Sequence, residues 1–201
     1  MKNCIVVFLL LPFQIICSQN MDIEMLRAIN IGRNTHLDPA FELVTNSAAP
    51  VSIGVPVILF GAGLIKKDRL GINKSLYVGA SVISAAIITN ILKYSIDRPR
   101  PFETYPDIEQ ATHAGSPSFP SGHTSDAFSL ATSLSIAYPK WYVIIPGYAW
   151  AFTVAYSRMH LGVHYPSDVL AGALIGAGSA YLCYKGQQWL TQKRNIIIKG
   201  F

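Results

Sequence analysis

Charge is what this sequence has least of. Charged side chains make up 13% of its 201 residues, about half of the ~25% carried by an ordinary soluble domain. Hydrophobic residues make up 51%, and the mean hydropathy is +0.34. This balance argues against a solvated globular domain and for a membrane protein. Cysteine is scarce as well: Cys4 and Cys17 lie in an N-terminal apolar stretch and Cys183 in the last one, so no disulfide framework is implied. No linker rich in proline, serine or charge divides the chain and no repeat recurs, which points to one domain. The net charge of +5 does not indicate a nucleic-acid partner, because the basic residues form no patch interleaved with exposed aromatics.

Apolar runs fill the space that charge leaves. Met1 to Ser18 holds one early lysine and an apolar core of about 12 residues, which is short for a span. We read a secretory signal peptide over residues 1–18, with an uncleaved anchor as the alternative, and a single membrane-embedded domain over 19–201. From Met21 to Ser47 the chain is mixed. Ile23, Leu26 and Ile29 share one helical stripe with Asp22, Glu24 and Arg27 elsewhere, the pattern of an amphipathic helix lying on the membrane surface.

Five apolar segments follow at about 48–65, 75–93, 123–138, 141–157 and 167–184, close to the ~17–25 residues that cross hydrocarbon, with the third and fourth at or below the low end. Small residues recur in them, as close helix packing in lipid favours. The expected fold is therefore all-α, an integral-membrane bundle of about five transmembrane helices after the signal peptide and the amphipathic interfacial segment. Lys66, Lys67, Arg69 and Lys74 mark a cytoplasmic loop. Counting spans from there turns residues 93–122 and 158–167 outward. Those outward loops still carry Lys93, Arg98, Arg100 and Arg158, and cations there against the usual bias suit the holding of an anion.

Three clusters carry chemistry. In the first, Lys93 precedes Arg98-Pro99-Arg100-Pro101, where the prolines hold the backbone extended; headgroup anchoring is its plainer reading. In the second, Pro120-Ser121-Gly122-His123 opens the third span. A helix start there offers backbone N–H groups to a phosphate, and His123 stands ready to donate a proton. In the third, Arg158, His164 and Asp168 flank Pro166, which suits a first helical position. A carboxylate at Asp168 can accept Nδ1–H of His164 and leave Nε2 as a nucleophile. Zinc bound by His160, His164 and Asp168 is the rival reading. Gly162 and Pro166 break that helix face, and the neighbouring cations repel a dication.

In order, Lys93-x6-Arg100-Pro101, Pro120-Ser121-Gly122-His123 and Ser157-Arg158-x5-His164-x3-Asp168 resemble the three-part signature of the type 2 phosphatidic acid phosphatase family, which shares its site with bacterial class A acid phosphatases and vanadium haloperoxidases. The resemblance implies that Lys93, Arg100, Arg158, Ser121 and the Gly122 amide hold phosphate oxygens. It implies a phosphohistidine at His164 oriented by Asp168, with His123 protonating the leaving oxygen, and no cofactor or metal. Because that superfamily also includes soluble exported enzymes, it is the hydrophobicity and the loop orientation that turn the resemblance into the expectation of a lipid phosphatase in a bacterial inner membrane, with its site on the outer, periplasmic face and a lipid phosphate as substrate. The alternatives are an exported acid phosphatase on soluble esters and a membrane module that binds or transports an anion without turnover. The loop from Phe102 to Ser118 carries Glu103, Asp107 and Glu109, whose charge would disfavour highly phosphorylated headgroups.

Overall fold

A computed structural model describes residues 20–199, with side chains over residues 20–190; the signal peptide expected at 1–18 lies outside them. Among the described residues all regular structure is helical. α1 covers residues 20–30. A 3₁₀ turn, Thr35–Leu37, leads into α2 (Asp38–Asn46), α3 (Ala48–Ile65), α4 (Arg69–Ile96), the single turn α5 (Pro101–Thr104), α6 (Gly122–Ala137), α7 (Trp141–His160) and α8 (Pro166–Lys199).

Local chemistry sets these boundaries. Asp68 accepts the Leu70 N–H at the start of α4, an ordinary N-cap. Asp97 ends α4 in the left-handed region at φ 49°, which aspartate tolerates better than most side chains, and Pro99 prevents resumption. Gly162, at φ +71°, turns the chain out of α7, and a Cβ there would strike the Glu109 carbonyl. Pro166 opens α8 as expected from sequence. α7 runs three residues further than the expected segment, so Arg158 and His160 belong to its last turn and not to a loop.

α6 is the hub, packed against α3, α4, α7 and α8. Its 16 residues make a rod of ~24 Å, shorter than the ~30 Å hydrocarbon layer. It is sheathed by longer helices, and Ser125, Ser129 and Ser133 are buried on it. Outside, the apolarity is reversed from that of a soluble fold. Ile53 and Val57 on α3, Ile83 and Ile91 on α4, Phe152 on α7 and Leu174 on α8 are each more than half exposed, as lipid-facing side chains are. α3 and α4 also belong to stretches long and apolar enough to cross a membrane.

The interior is built from small residues. Ala127 and Ala131 of α6 meet Ala151 and Ala155 of α7, and α8 approaches α6 through Gly172 and Gly176. A Cβ on Gly176 would collide with the Ser125 carbonyl and stand 2.8 Å from the Ser129 nitrogen. Alanine gains about 1 kcal/mol of helix propensity over glycine, but overpacking against backbone that cannot rotate aside costs about 1–3 kcal/mol. Gly176→Ala is therefore expected to lower the melting temperature in detergent, whereas Gly178→Ala, with nothing within 4 Å of its Cβ, is expected to hold or raise it. Equal melting temperatures would mean that the helices separate without difficulty.

α1 corrects one expectation. Its apolar stripe covers protein, since Ile23 and Leu26 are buried with Ile108 and Tyr165. The buried face also includes Asp22 and Asn30, although Asp22 was expected on the polar side. Asn30 donates to the carbonyls of Glu109 and His160 and accepts from the Glu109 N–H. The helix is thus fastened over the segment after α5 and the end of α7.

Candidate active site

Each of the three sequence clusters reaches the same end of the bundle by a different element. Lys93 comes from the last turn of α4, Arg100 precedes α5, and Ser121, Gly122 and His123 open α6. Arg158 comes from the last turn of α7, His164 from the turn after it, and Asp168 from the first turn of α8. Lys93, Arg100, Arg158, Ser121, His164 and Asp168 are all buried.

Asp168 is the most heavily bonded of them and has no exposed surface. Its Oδ1 accepts from Arg98 Nη1 at 2.6 Å, and its Oδ2 accepts from Ser118 Oγ and, at 3.0 Å, from the Tyr165 N–H. Its carbonyl accepts the Ser121 N–H at 3.0 Å, which ties the starts of α6 and α8 together. His164 Nδ1 lies 3.4 Å from Asp168 Oδ2, near enough for charge stabilisation but outside good hydrogen-bond geometry. The opposite nitrogen, Nε2, stands 3.5 Å from Arg100 Nη1. Burial, reinforced by Arg158 and Arg100 and opposed by Asp168, pushes the His164 imidazole down to about 3. The ring is therefore neutral near pH 7, with a lone pair available on one nitrogen.

The cations are held by neutral groups. Lys93 Nζ donates to the Pro117 carbonyl at 2.6 Å, Arg100 to the carbonyls of Ser116 and Val163 at 2.7 Å, and Arg158 Nη1 to Thr45 Oγ1 at 2.7 Å. These partners fix position without neutralising charge. Arg158 Nε is buried with no partner. Four cations, Lys93, Arg98, Arg100 and Arg158, face two buried carboxylates, Asp22 and Asp168, with exposed Glu103 also acting on Arg100, so the buried cluster retains two positive charges, enough for a phosphoryl dianion. No side chain caps α6, which leaves its first-turn amides without a side-chain partner at the end of the helix that carries Ser121 and His123. Such a set can bind a tetrahedral oxyanion and bring an uncharged imidazole against it.

His160 is not part of this arrangement. Its Nε2 meets Asp38 Oδ1 at 2.9 Å and its ring packs on Phe41, with centroids 4.4 Å apart. The His160, His164 and Asp168 trio does not converge, and among the described residues no three metal-binding side chains do. The acidic loop is likewise internally committed. Glu103 accepts the Arg100 N–H, Asp107 pairs with Arg27, and Glu109 pairs with Arg33. Asp107 and Glu109 are thus compensated by arginines within the protein, whereas Glu103 keeps its charge, so the loop's expected repulsion of phosphorylated headgroups is reduced to one carboxylate.

Residues absent from the sequence-derived set also belong to the site. Arg98 was grouped with the other cations, but it turns from them to join Asp168 and Asp22. Ser118 supports Asp168, and fully buried Thr45 orients Arg158. Asp22 and Asn30 carried one available signal: they lie four residues to either side of Leu26, hence on its buried face.

Known proteins share this chain's pattern. It is 40% identical over 77 residues to a lipid A 4'-phosphatase of Bacteroides thetaiotaomicron, an alignment of 38% of this chain that spans only 34% of that protein. It is 31% identical over 170 residues to an undecaprenyl-diphosphatase of Sulfolobus acidocaldarius, covering 76% of this chain and 78% of the relative. The crystal structure of a transmembrane PAP2 type phosphatidylglycerolphosphate phosphatase from Bacillus subtilis superposes with a TM-score of 0.70 at 26% identity, over 86% of this chain and 87% of that one. The profile of the PAP2 superfamily matches residues 74–192, from the start of the second long helix through both histidines of the cluster. The chain belongs to the PAP2 superfamily.

Proposed function

We propose that this protein is an integral-membrane phosphatase that removes a phosphate from a lipid headgroup, either a monoester or a pyrophosphate, through a phosphohistidine. The observation that carries the reading is the gathering of Lys93, Arg100 and Arg158, none in an ion pair with a carboxylate of its own, with the neutral His164 Nε2 3.5 Å from Arg100 Nη1. Phosphate oxygens would lie among these cations with Ser121 and the Gly122 amide. His164 Nε2 would attack phosphorus in line, forming an N–P bond as the lipid oxygen leaves, with Asp168 stabilising the charged ring. His123 would give its proton to the leaving oxygen and then take one from the water that hydrolyses the intermediate.

Fixed cations and helix-start amides supply the stabilisation that a metal gives elsewhere, so turnover should need none. The lysines and arginines between α3 and α4 lie at the opposite end of the bundle from the cluster. By the positive-inside rule this supports a site on the outer face of a bacterial inner membrane. The belt of exposed apolar side chains favours a substrate presented from the bilayer over a soluble ester. The relatives' names span lipid A, undecaprenyl diphosphate and phosphatidylglycerolphosphate, and candidate substrates come from that set together with phosphatidic acid. The test is phosphate release from these lipids in detergent with EDTA present. Undiminished turnover is expected. Activity abolished by EDTA and restored by a divalent metal would refute metal independence, and release from none of them would refute the reading.

A further inference from the structure

Arg98 joins two carboxylates that come from opposite ends of the sequence. Its Nη1 donates to Asp168 Oδ1 at 2.6 Å and to Ser167 Oγ at 2.7 Å, and its Nη2 donates to Asp22 Oδ2 at 2.8 Å. The guanidinium lies 3.8 Å from the centre of the Tyr165 ring, which fixes its plane. Asp22 reaches the same helix a second way, since its Oδ1 accepts the Ser167 N–H at 2.8 Å and its Oδ2 accepts the Ser167 hydroxyl. A carboxylate of α1 thus caps the first turn of α8, one residue before Asp168. Asp22 is buried, and it precedes the region that the superfamily profile matches.

We propose that Asp22 is a positioning residue for the reaction, acting through Arg98 on Asp168 and so on His164. This rests on the phosphohistidine reading above. An arginine paired with Asp168 alone would cancel the negative charge that a phosphorylated imidazole needs. Asp22 supplies a second carboxylate, so Asp22, Arg98 and Asp168 together keep one net negative charge beside His164. It also holds Arg98 on Oδ1 and leaves Oδ2 to face the ring. Around His164 the other charged groups are Arg100 from the segment before α5 and Arg158 from α7, both positive, which makes the retained negative charge consequential.

The role predicts an effect on the chemical step more than on binding. In Asp22→Asn, kcat is expected to fall about 10- to 100-fold, the range seen when a group supporting a first-layer residue is lost, with KM within about threefold. Because Asp22 acts through Arg98, the double variant Asp22→Asn with Arg98→Gln should be no slower than Arg98→Gln alone. Arg27→Ala is the control for mere loosening of α1, because Arg27 ties that helix to Asp107 without touching Arg98, and it should keep kcat. Should Asp22→Asn not fold, Asp22→Glu, which keeps the charge but displaces the carboxylate from Arg98 and Ser167, is expected to lower kcat about 3- to 10-fold with KM unchanged, and an unchanged kcat there would overturn the proposal.

An unchanged kcat in Asp22→Asn, losses that multiply in the double variant, or an equal loss in Arg27→Ala would each overturn the proposal. A readout independent of substrate is the ring ¹⁵N resonance of His164, one of five histidines, which should move in Asp22→Asn and stay in Arg27→Ala. If the wild type turned over no lipid, the function would fail by itself, and this resonance would still decide the role of Asp22.

Discussion

Turnover in His164→Ala is expected to fall by about 10⁴-fold or more, the order of loss when an acting nucleophile is deleted from a pre-built site. The imidazole is 1% exposed and its Nε2 stands 3.5 Å from Arg100 Nη1. Lys93, Arg100 and Arg158 are fixed by carbonyls and by Thr45, not by His164, with the one 3.5 Å approach of Arg100 as the exception. The anion pocket should therefore outlast the nucleophile, and inorganic phosphate should inhibit or bind the variant within a few-fold of wild type. Quenching the wild type during turnover with radiolabelled lipid should trap an acid-labile, base-stable phosphoryl group, absent in His164→Ala. A variant that retains more than a hundredth of wild-type kcat would sink the nucleophile assignment.

The second large effect belongs to Asp168→Asn, and it should appear in two measurements at once. Orienting carboxylates of this kind are worth on the order of 10³–10⁴ in kcat, because the amide no longer fixes the tautomer or stabilises the charged ring. Asparagine can still accept from Ser118 and the Tyr165 N–H through its one oxygen, but then its NH₂ points at Arg98. That leaves the guanidinium opposite a donor with Asp22 as its remaining carboxylate, a loss of part of the about 3–5 kcal/mol that breaking a buried pair from one side costs. The melting temperature in detergent should fall well below that of the wild type, whereas His164→Ala should lose much less. Because a negative charge is lost while the phosphate-holding cations stay, KM should not rise. A variant within tenfold of wild-type kcat, or one with an unchanged melting temperature, would mean that Asp168 is not the residue on which the site depends.

What could be read from the sequence depended on how far apart the partners lie. The cations of the first cluster, the Ser-Gly-His start of α6 and the His164–Asp168 pair sit in short runs, and their spacing with Pro166 places them on helix ends. α3 and α4 were legible because their apolar runs are long. α6 was marginal as a span for a physical reason that only the packing reveals: it is surrounded by protein and carries serines where lipid-facing helices carry isoleucine. Partners distant in sequence left no local trace. Arg98 meets Asp22 across 76 residues and Arg158 meets Thr45 across 113. Both Asp22 and Thr45 come from short amphipathic helices whose polar residues were expected to face water or headgroups.

The glycine seam between α6 and α8 also determines where a lipid tail cannot go. At Gly172 a Cβ would stand 2.5 Å from the Ser121 carbonyl, and at Gly176 it would overlap that of Ser125; a methylene chain is wider than the methyl group already excluded. That side of the bundle is closed to acyl or isoprenyl chains along the upper half of α6, directly beneath Ser121 and His123. A headgroup held by the cations must trail its hydrocarbon past other helices. The apolar groove between α3 and α4, about 450 Å³ and bordered by Ile53, Val57, Phe60 and Ile83, shares no residue with this seam. The glycines that let two helices touch therefore also limit the directions from which a substrate can arrive.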